Sequence, residues 1–250
     1  MDSYTLAPEE ATPTPPRRAP WGFADMSKAI GIVISLTFAI AIPSALVAGA
    51  IAGSRDVEDD PTALTIVLAL SVVLEALMLW TAFRFSVKKY HLSIDALGLK
   101  KPARGNWMLP FGLVIGSLII MYVYFGVLAA LGIEPDANLP KGVFDNIGPF
   151  VVIFVLSVVV APFVEEIFFR GFIFGGLRDR WGPLLGALGS GLLFGLAHVG
   201  NPGTIYILPP IAAVGALFAV GYIYTGSIIP GMIAHLLFNL LQVTVGLAAS

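Results

Sequence analysis

Cysteine is absent from this 250-residue chain, and charge is scarce. The lack of cysteine excludes a disulfide framework, a thiolate metal site and a cysteine nucleophile. Charged residues make up only 12% of the chain, whereas a soluble domain carries about 25%. So low a charge fraction excludes a nucleic-acid binder with a basic face, and the net charge of −2 gives no strong field of either sign. A disordered chain is excluded as well, because 57% of the residues are apolar and the mean hydropathy is +0.89. No H-E-x-x-H occurs, so the usual zinc-protease helix is missing. No internal repeat of the transporter kind is visible. These absences leave an integral membrane protein, expected to be an all-α, polytopic transmembrane helix bundle of about seven to eight spans.

The first residues are rich in proline (Pro8, Pro13, Pro15, Pro16, Pro20). Residues 1–28 therefore read as a disordered cytoplasmic tail. The first apolar run is too long for a signal-peptide core, so a retained span is expected. Seven runs suit a bilayer core of about 20 residues per helix: Ala29–Gly53, Ala63–Phe85, Leu109–Gly132, Ile147–Val164, Pro183–His198, Ile205–Tyr224 and Ile228–Ala249. Pro43 is expected to kink the first. With the N-terminus inside, twelve of the fourteen basic residues fall in inner segments. Only Arg55 and Lys141 fall outside, as the positive-inside rule requires of a multi-pass plasma-membrane protein with a cytoplasmic N-terminus. Residues 29–145 then hold three spans with a basic cytoplasmic loop, and residues 146–250 hold the unusual polar groups. Function is sought after about residue 145.

Charge inside a bilayer costs about 2.5–3.5 kcal/mol per group on insertion scales, so intramembrane polar residues mark function. Here they are Glu75, Glu165, Glu166, Arg170, His198, His235 and Asn239. Glu75 stands alone and reads as a packed carboxyl facing the bundle. Glu166 and Arg170 are four apart, which places them on one helix face. His235 and Asn239 share a face for the same reason, and Phe194 lies one turn below His198. The only strong turn signal after the fourth run is Arg178-Asp179-Arg180 with Gly182-Pro183. If the chain reverses near Arg178, Glu165 lies roughly 22 Å and His198 roughly 27 Å from the turn, facing each other on an antiparallel hairpin. His235 reaches a similar depth from the start of the last span. On this reading Gly200-Asn201-Pro202-Gly203 breaks the fifth helix inside the protein, where irregular backbone can line a cavity. Gly186, Gly189, Gly191 and Gly195 read as close helix packing.

A carboxylate and an imidazole in a low-dielectric cavity can activate water. A second imidazole and an amide can stabilise an oxyanion. The set suits amide hydrolysis with water as nucleophile. Glu165, His198 and His235 are equally a possible zinc triad with water in the fourth position. Proton-coupled transport, and a non-catalytic structural or binding role, stand beside the enzyme reading.

Glu165-Glu166-Ile-Phe-Phe-Arg170, Phe194-Gly-Leu-Ala-His198 and His235-Leu-Leu-Phe-Asn239 resemble the motifs E-E-x-x-x-R, F-x-x-x-H and H-x-x-x-N of the CPBP family. These are the CAAX protease and bacteriocin-processing (Abi) intramembrane peptidases. Gly171–Gly175 and Leu97-Gly98-Leu99 resemble the family too. The resemblance covers roughly residues 145–245 and implies that residues 146–250 are the catalytic helix bundle of an intramembrane endopeptidase. It implies that Glu165 and His198 activate water, and that His235 and Asn239 hold the oxyanion. Glu166, Arg170 and Phe194 are supporting residues. It implies a peptide or protein substrate, lipidated at its C-terminus for some relatives, with membrane lipid as the other partner. No cofactor is the preferred expectation, with Zn2+ held by Glu165, His198 and His235 as the alternative. A role in bacteriocin immunity or as a scaffold without catalysis is the other outcome the resemblance allows.

Overall fold

The structure is a computed structural model that describes residues 19–105, 107–133, 143–199 and 202–249. The first eighteen residues, Lys141 and the Gly200-Asn201 break lie outside the described residues. The described residues form a polytopic helical bundle without strands. Its principal elements are α1 (Phe23–Ala52), α2 (Pro61–Phe85), the short α3 (Val87–Tyr90) and α4 (Leu109–Ala130). They continue with α5 (Ile147–Phe154), α6 (Ala161–Glu165), α7 (Gly175–Leu196), α8 (Leu208–Thr225) and α9 (Ile229–Ala249).

Six helical stretches are long and apolar enough to cross a membrane. One of them, Ile147–Leu196, is 50 residues long and contains two of the seven expected runs. It breaks at Gly182, where φ is 81° and ψ is 170°. A positive φ is cheap only for glycine, and Pro183 starts the returning arm. The first arm is thus helical well past Val164, as the hairpin required, and turns four residues later than Arg178. The arms pack antiparallel, with the Ser190 hydroxyl donating to the Phe169 carbonyl at 2.8 Å. Phe169 and Phe194 meet edge to face at 5.1 Å.

Small residues set the neighbouring contact. A Cβ on Gly191 would stand 2.5 Å from the Ala212 carbonyl oxygen of α8, and one on Gly195 would stand 2.8 Å from the Leu208 oxygen. The glycines therefore let α7 and α8 touch backbone to backbone. On the outside, apolar side chains such as Phe38, Leu46 and Tyr122 are more than half exposed, as a lipid-facing surface requires.

The expected tail boundary is corrected. Helix α1 begins at Phe23, not at Ala29, and continues through Pro43. Its start is tied down. Asp25 accepts hydrogen bonds from Lys89 Nζ (2.5 Å) and the Tyr90 hydroxyl (2.7 Å). Just before it, Trp21 is buried and its indole N–H donates to the Phe172 carbonyl at 2.8 Å. Proline content alone pointed to tail here, but one large aromatic with a buried partner fixes the segment. Trp21→Ala is expected to cost about 3–5 kcal/mol by leaving a cavity beside Phe172. Thermal unfolding in detergent micelles checks this, and an unchanged midpoint would show that Trp21 does not anchor the segment.

Candidate active site

Two π-helical segments, Val155–Val160 and Glu166–Phe174, flank the single turn of α6 that ends in Glu165. Such wide turns recur at functional sites because they loosen the backbone ladder and re-aim side chains. Their carbonyls here accept donors from other elements. Ser157 O accepts from Asn239 Nδ2 of α9 at 2.7 Å. Phe169 O and Phe172 O accept from Ser190 and Trp21, as described above. Leu97 lies against the second segment, where a Cβ on Gly171 would sit 2.7 Å from the Leu97 carbonyl oxygen.

At the centre is His235, 6% exposed. Its Nδ1 lies 3.3 Å from Glu166 Oε1 and its Nε2 lies 3.7 Å from Glu165 Oε2. Glu166 therefore orients the ring from one side while Glu165 faces the other. Glu166 also carries an ion pair, with Arg170 Nη1 at 2.9 Å from its Oε1. Both residues are fully buried. No guanidinium nitrogen of Arg170 has an acceptor in good hydrogen-bond geometry among the described residues. Instead the group lies 4.2 Å from the centre of the Phe194 ring and 5.4 Å from that of Phe218, which is cation–π range. Gly231 makes room for this network, because a Cβ there would stand 3.0 Å from Glu166 Oε2.

Phe194 joins the two imidazoles, meeting His198 at 4.8 Å and His235 at 5.9 Å between ring centres. His198 Nδ1 lies 2.8 Å from the Phe194 carbonyl. A carbonyl only accepts, so Nδ1 carries the hydrogen and Nε2 of the neutral ring is left as an acceptor. His198, His235 and Asn239 line one cavity of about 290 Å³.

The structure thus brings together Glu165 with His235, Glu166 with Arg170 and His235, and both histidines with Phe194. It differs from expectation at two points. No ion pair or hydrogen bond joins Glu165 to His198. Glu165, the last residue of α6, is paired with His235 of α9 instead. Asn239 does not stand free for an oxyanion, since one N–H is held by Ser157 O and the other remains. Glu75 of α2 is buried, its Oε2 has no partner among the described residues, and it lies within electrostatic reach of Glu165.

Confining the search to residues after about 145 missed part of the wall. Met121 and Phe125 of α4 line the cavity, and so does Gln242 of α9, which lay within the searched region and was passed over. The α4 residues carry no signal, being apolar in an apolar run. Gln242 did carry one, since it continues the His235/Asn239 face at i+7.

A metal was the open alternative. Among the described residues, no three His, Asp or Glu side chains converge closely enough to hold an ion. Glu165, His198 and His235 are not drawn together as such a set in this structure.

Residues 147–241 match the model of the family described as "Type II CAAX prenyl endopeptidase Rce1-like". This region carries all three motifs and is similar to a CAAX-type membrane peptidase domain. The chain is 29% identical over 147 residues, 58% of its length, to "Putative membrane peptidase YdiL" of Bacillus subtilis (strain 168). It is 30% identical over 127 residues, 49% of its length, to an "Uncharacterized 24.3 kDa protein" of Escherichia coli. These matches span 56% and 58% of the two relatives' own lengths. No solved structure matches the chain.

Proposed function

We propose that this protein is an intramembrane endopeptidase of the type II CAAX prenyl protease kind, which hydrolyses peptide bonds with activated water. The observation that carries the reading is a cavity lined by two imidazoles and an amide, one of whose imidazoles, His235, has Glu165 Oε2 3.7 Å from its Nε2 and Glu166 Oε1 3.3 Å from its Nδ1. Glu165 is the general base, and the free Nε2 of His198 is the second proton acceptor in the cavity. The water oxygen adds to the scissile carbonyl carbon, and its proton passes to Glu165. The remaining N–H of Asn239 is the donor offered to the developing oxyanion, and His235 joins it as the imidazolium, with its Nδ1–H held by Glu166 and its Nε2–H as the donor. As the C–N bond breaks, the proton is returned to the leaving nitrogen. Glu166, Arg170 and Phe194 hold the imidazoles in place. The distribution of basic residues supports a cytoplasmic N-terminus for this multi-pass protein, for which the plasma membrane is the proposed location. The substrate is a peptide or protein segment that enters from the membrane, lipidated at its C-terminus if this chain follows the kind it resembles.

No step in this scheme needs a metal ion. Purified protein in proteoliposomes is expected to cleave quenched-fluorescent apolar peptides at the same rate with and without a strong zinc chelator. Activity lost to the chelator and restored by zinc would overturn the metal-free mechanism.

A further inference from the structure

Gln242 is the fourth polar side chain on the wall of the cavity that holds His198, His235 and Asn239. It lies seven residues beyond His235 and three beyond Asn239, so all three project from one face of α9. At 1.5 Å per residue it stands about 10 Å along the axis from His235. Its place in α9 is well inside the span, seven residues before the helix end at Ala249. Its amide makes no hydrogen bond among the described residues. The side chain is exposed, so its amide is open to whatever fills the cavity. In a membrane helix such a group persists where a bound molecule or a neighbouring helix satisfies it. Among the described residues no helix satisfies Gln242, and its neighbours on the wall include the apolar Met121 and Phe125 of α4 and Phe238 of α9.

A primary amide both donates and accepts, and so matches the N–H and C=O of a peptide backbone. An extended peptide advances about 3.3 Å per residue. The 10 Å between His235 and Gln242 is therefore about three residues of extended chain. We propose that Gln242 is a substrate-binding residue that hydrogen-bonds the backbone of an extended, apolar peptide about three residues from the scissile bond. The apolar wall takes that peptide's side chains, which makes a charged segment a poor occupant. The inference rests on the endopeptidase reading of the same cavity, but peptide binding can be measured without cleavage.

The test uses full-length protein in phosphatidylcholine proteoliposomes and a fluorophore-labelled apolar ten-residue peptide. A set of ester analogues replaces one backbone N–H at a time by oxygen. Binding is read by fluorescence anisotropy and cleavage by product release. Wild type is expected to lose about tenfold in affinity at one analogue position, the value of one hydrogen bond in a dry site. Gln242→Leu should lose about tenfold on the parent peptide and nothing further at that position. Where cleavage occurs, KM should rise about tenfold with kcat kept. If wild type binds with this pattern but does not cleave, the endopeptidase reading fails while the Gln242 assignment stands. Three results would overturn the assignment. One is no peptide binding by wild type. Another is Gln242→Leu binding as wild type does, or keeping the same positional penalty. The third is a phospholipid retained by wild type, lost in Gln242→Leu and not displaced by peptide, which would give the amide to lipid.

Discussion

Glu165→Gln is expected to lower peptide cleavage about a thousandfold while leaving the folded protein in the membrane. The substitution keeps the shape of the side chain and removes its ability to take a proton. General acid–base groups contribute about 10²–10⁴-fold, and a base that also sets up the nucleophile belongs in that range. The structure adds a reason to expect little loss of fold. The Glu165 side chain is 13% exposed and its contact with His235 is long, at 3.7 Å. The fold-holding pair is Glu166 with Arg170. kcat from a peptide assay and thermal unfolding of the same preparation check the two halves of this expectation. Full activity in Glu165→Gln would remove Glu165 from the mechanism. A cellular phenotype that survives the substitution would favour the non-catalytic reading.

Arg170→Met should have a large effect on stability. The ion pair with Glu166 is fully buried, and removing one partner strands the other charge in a medium that cannot solvate it. Breaking a buried pair in this way costs about 3–5 kcal/mol. Replacing both partners with apolar residues of similar size is often close to neutral. The double variant Glu166→Leu/Arg170→Met should therefore recover most of the stability that Arg170→Met loses. Its activity should stay low, because His235 Nδ1 loses the carboxylate that orients it at 3.3 Å. Unfolding midpoints and kcat across the cycle test this. A double variant as unstable as the single one would mean that the pair holds the fold by packing rather than by charge.

The polar centre was legible in the sequence because a membrane makes charge expensive. Glu165, Glu166, Arg170, His198, His235 and Asn239 stood out against apolar runs, and helical spacing paired them. The hairpin was legible for a similar reason. Gly182-Pro183 is turn chemistry in a stretch that otherwise has none, and the chain breaks at Gly182. What was not legible depends on register. A period of 3.6 residues cannot reveal the two π-helical segments that flank Glu165, nor that Glu165 meets His235. They also present the Ser157 carbonyl that holds Asn239. Trp21 was hidden by its prolines, because composition averages over a segment while one buried indole decides its structure. The part played by α4 was hidden by uniformity, since a helix that is apolar all round does not announce which face lines a cavity.

The central claim is that this cavity cuts a membrane-embedded polypeptide by means of Glu165. Comparing the protein termini found in membranes of cells carrying wild type and Glu165→Gln, expressed at equal levels, tests it most directly. The account predicts at least one membrane protein with a new terminus in wild type that stays uncut in the variant. Identical sets of termini in the two membranes would contradict it.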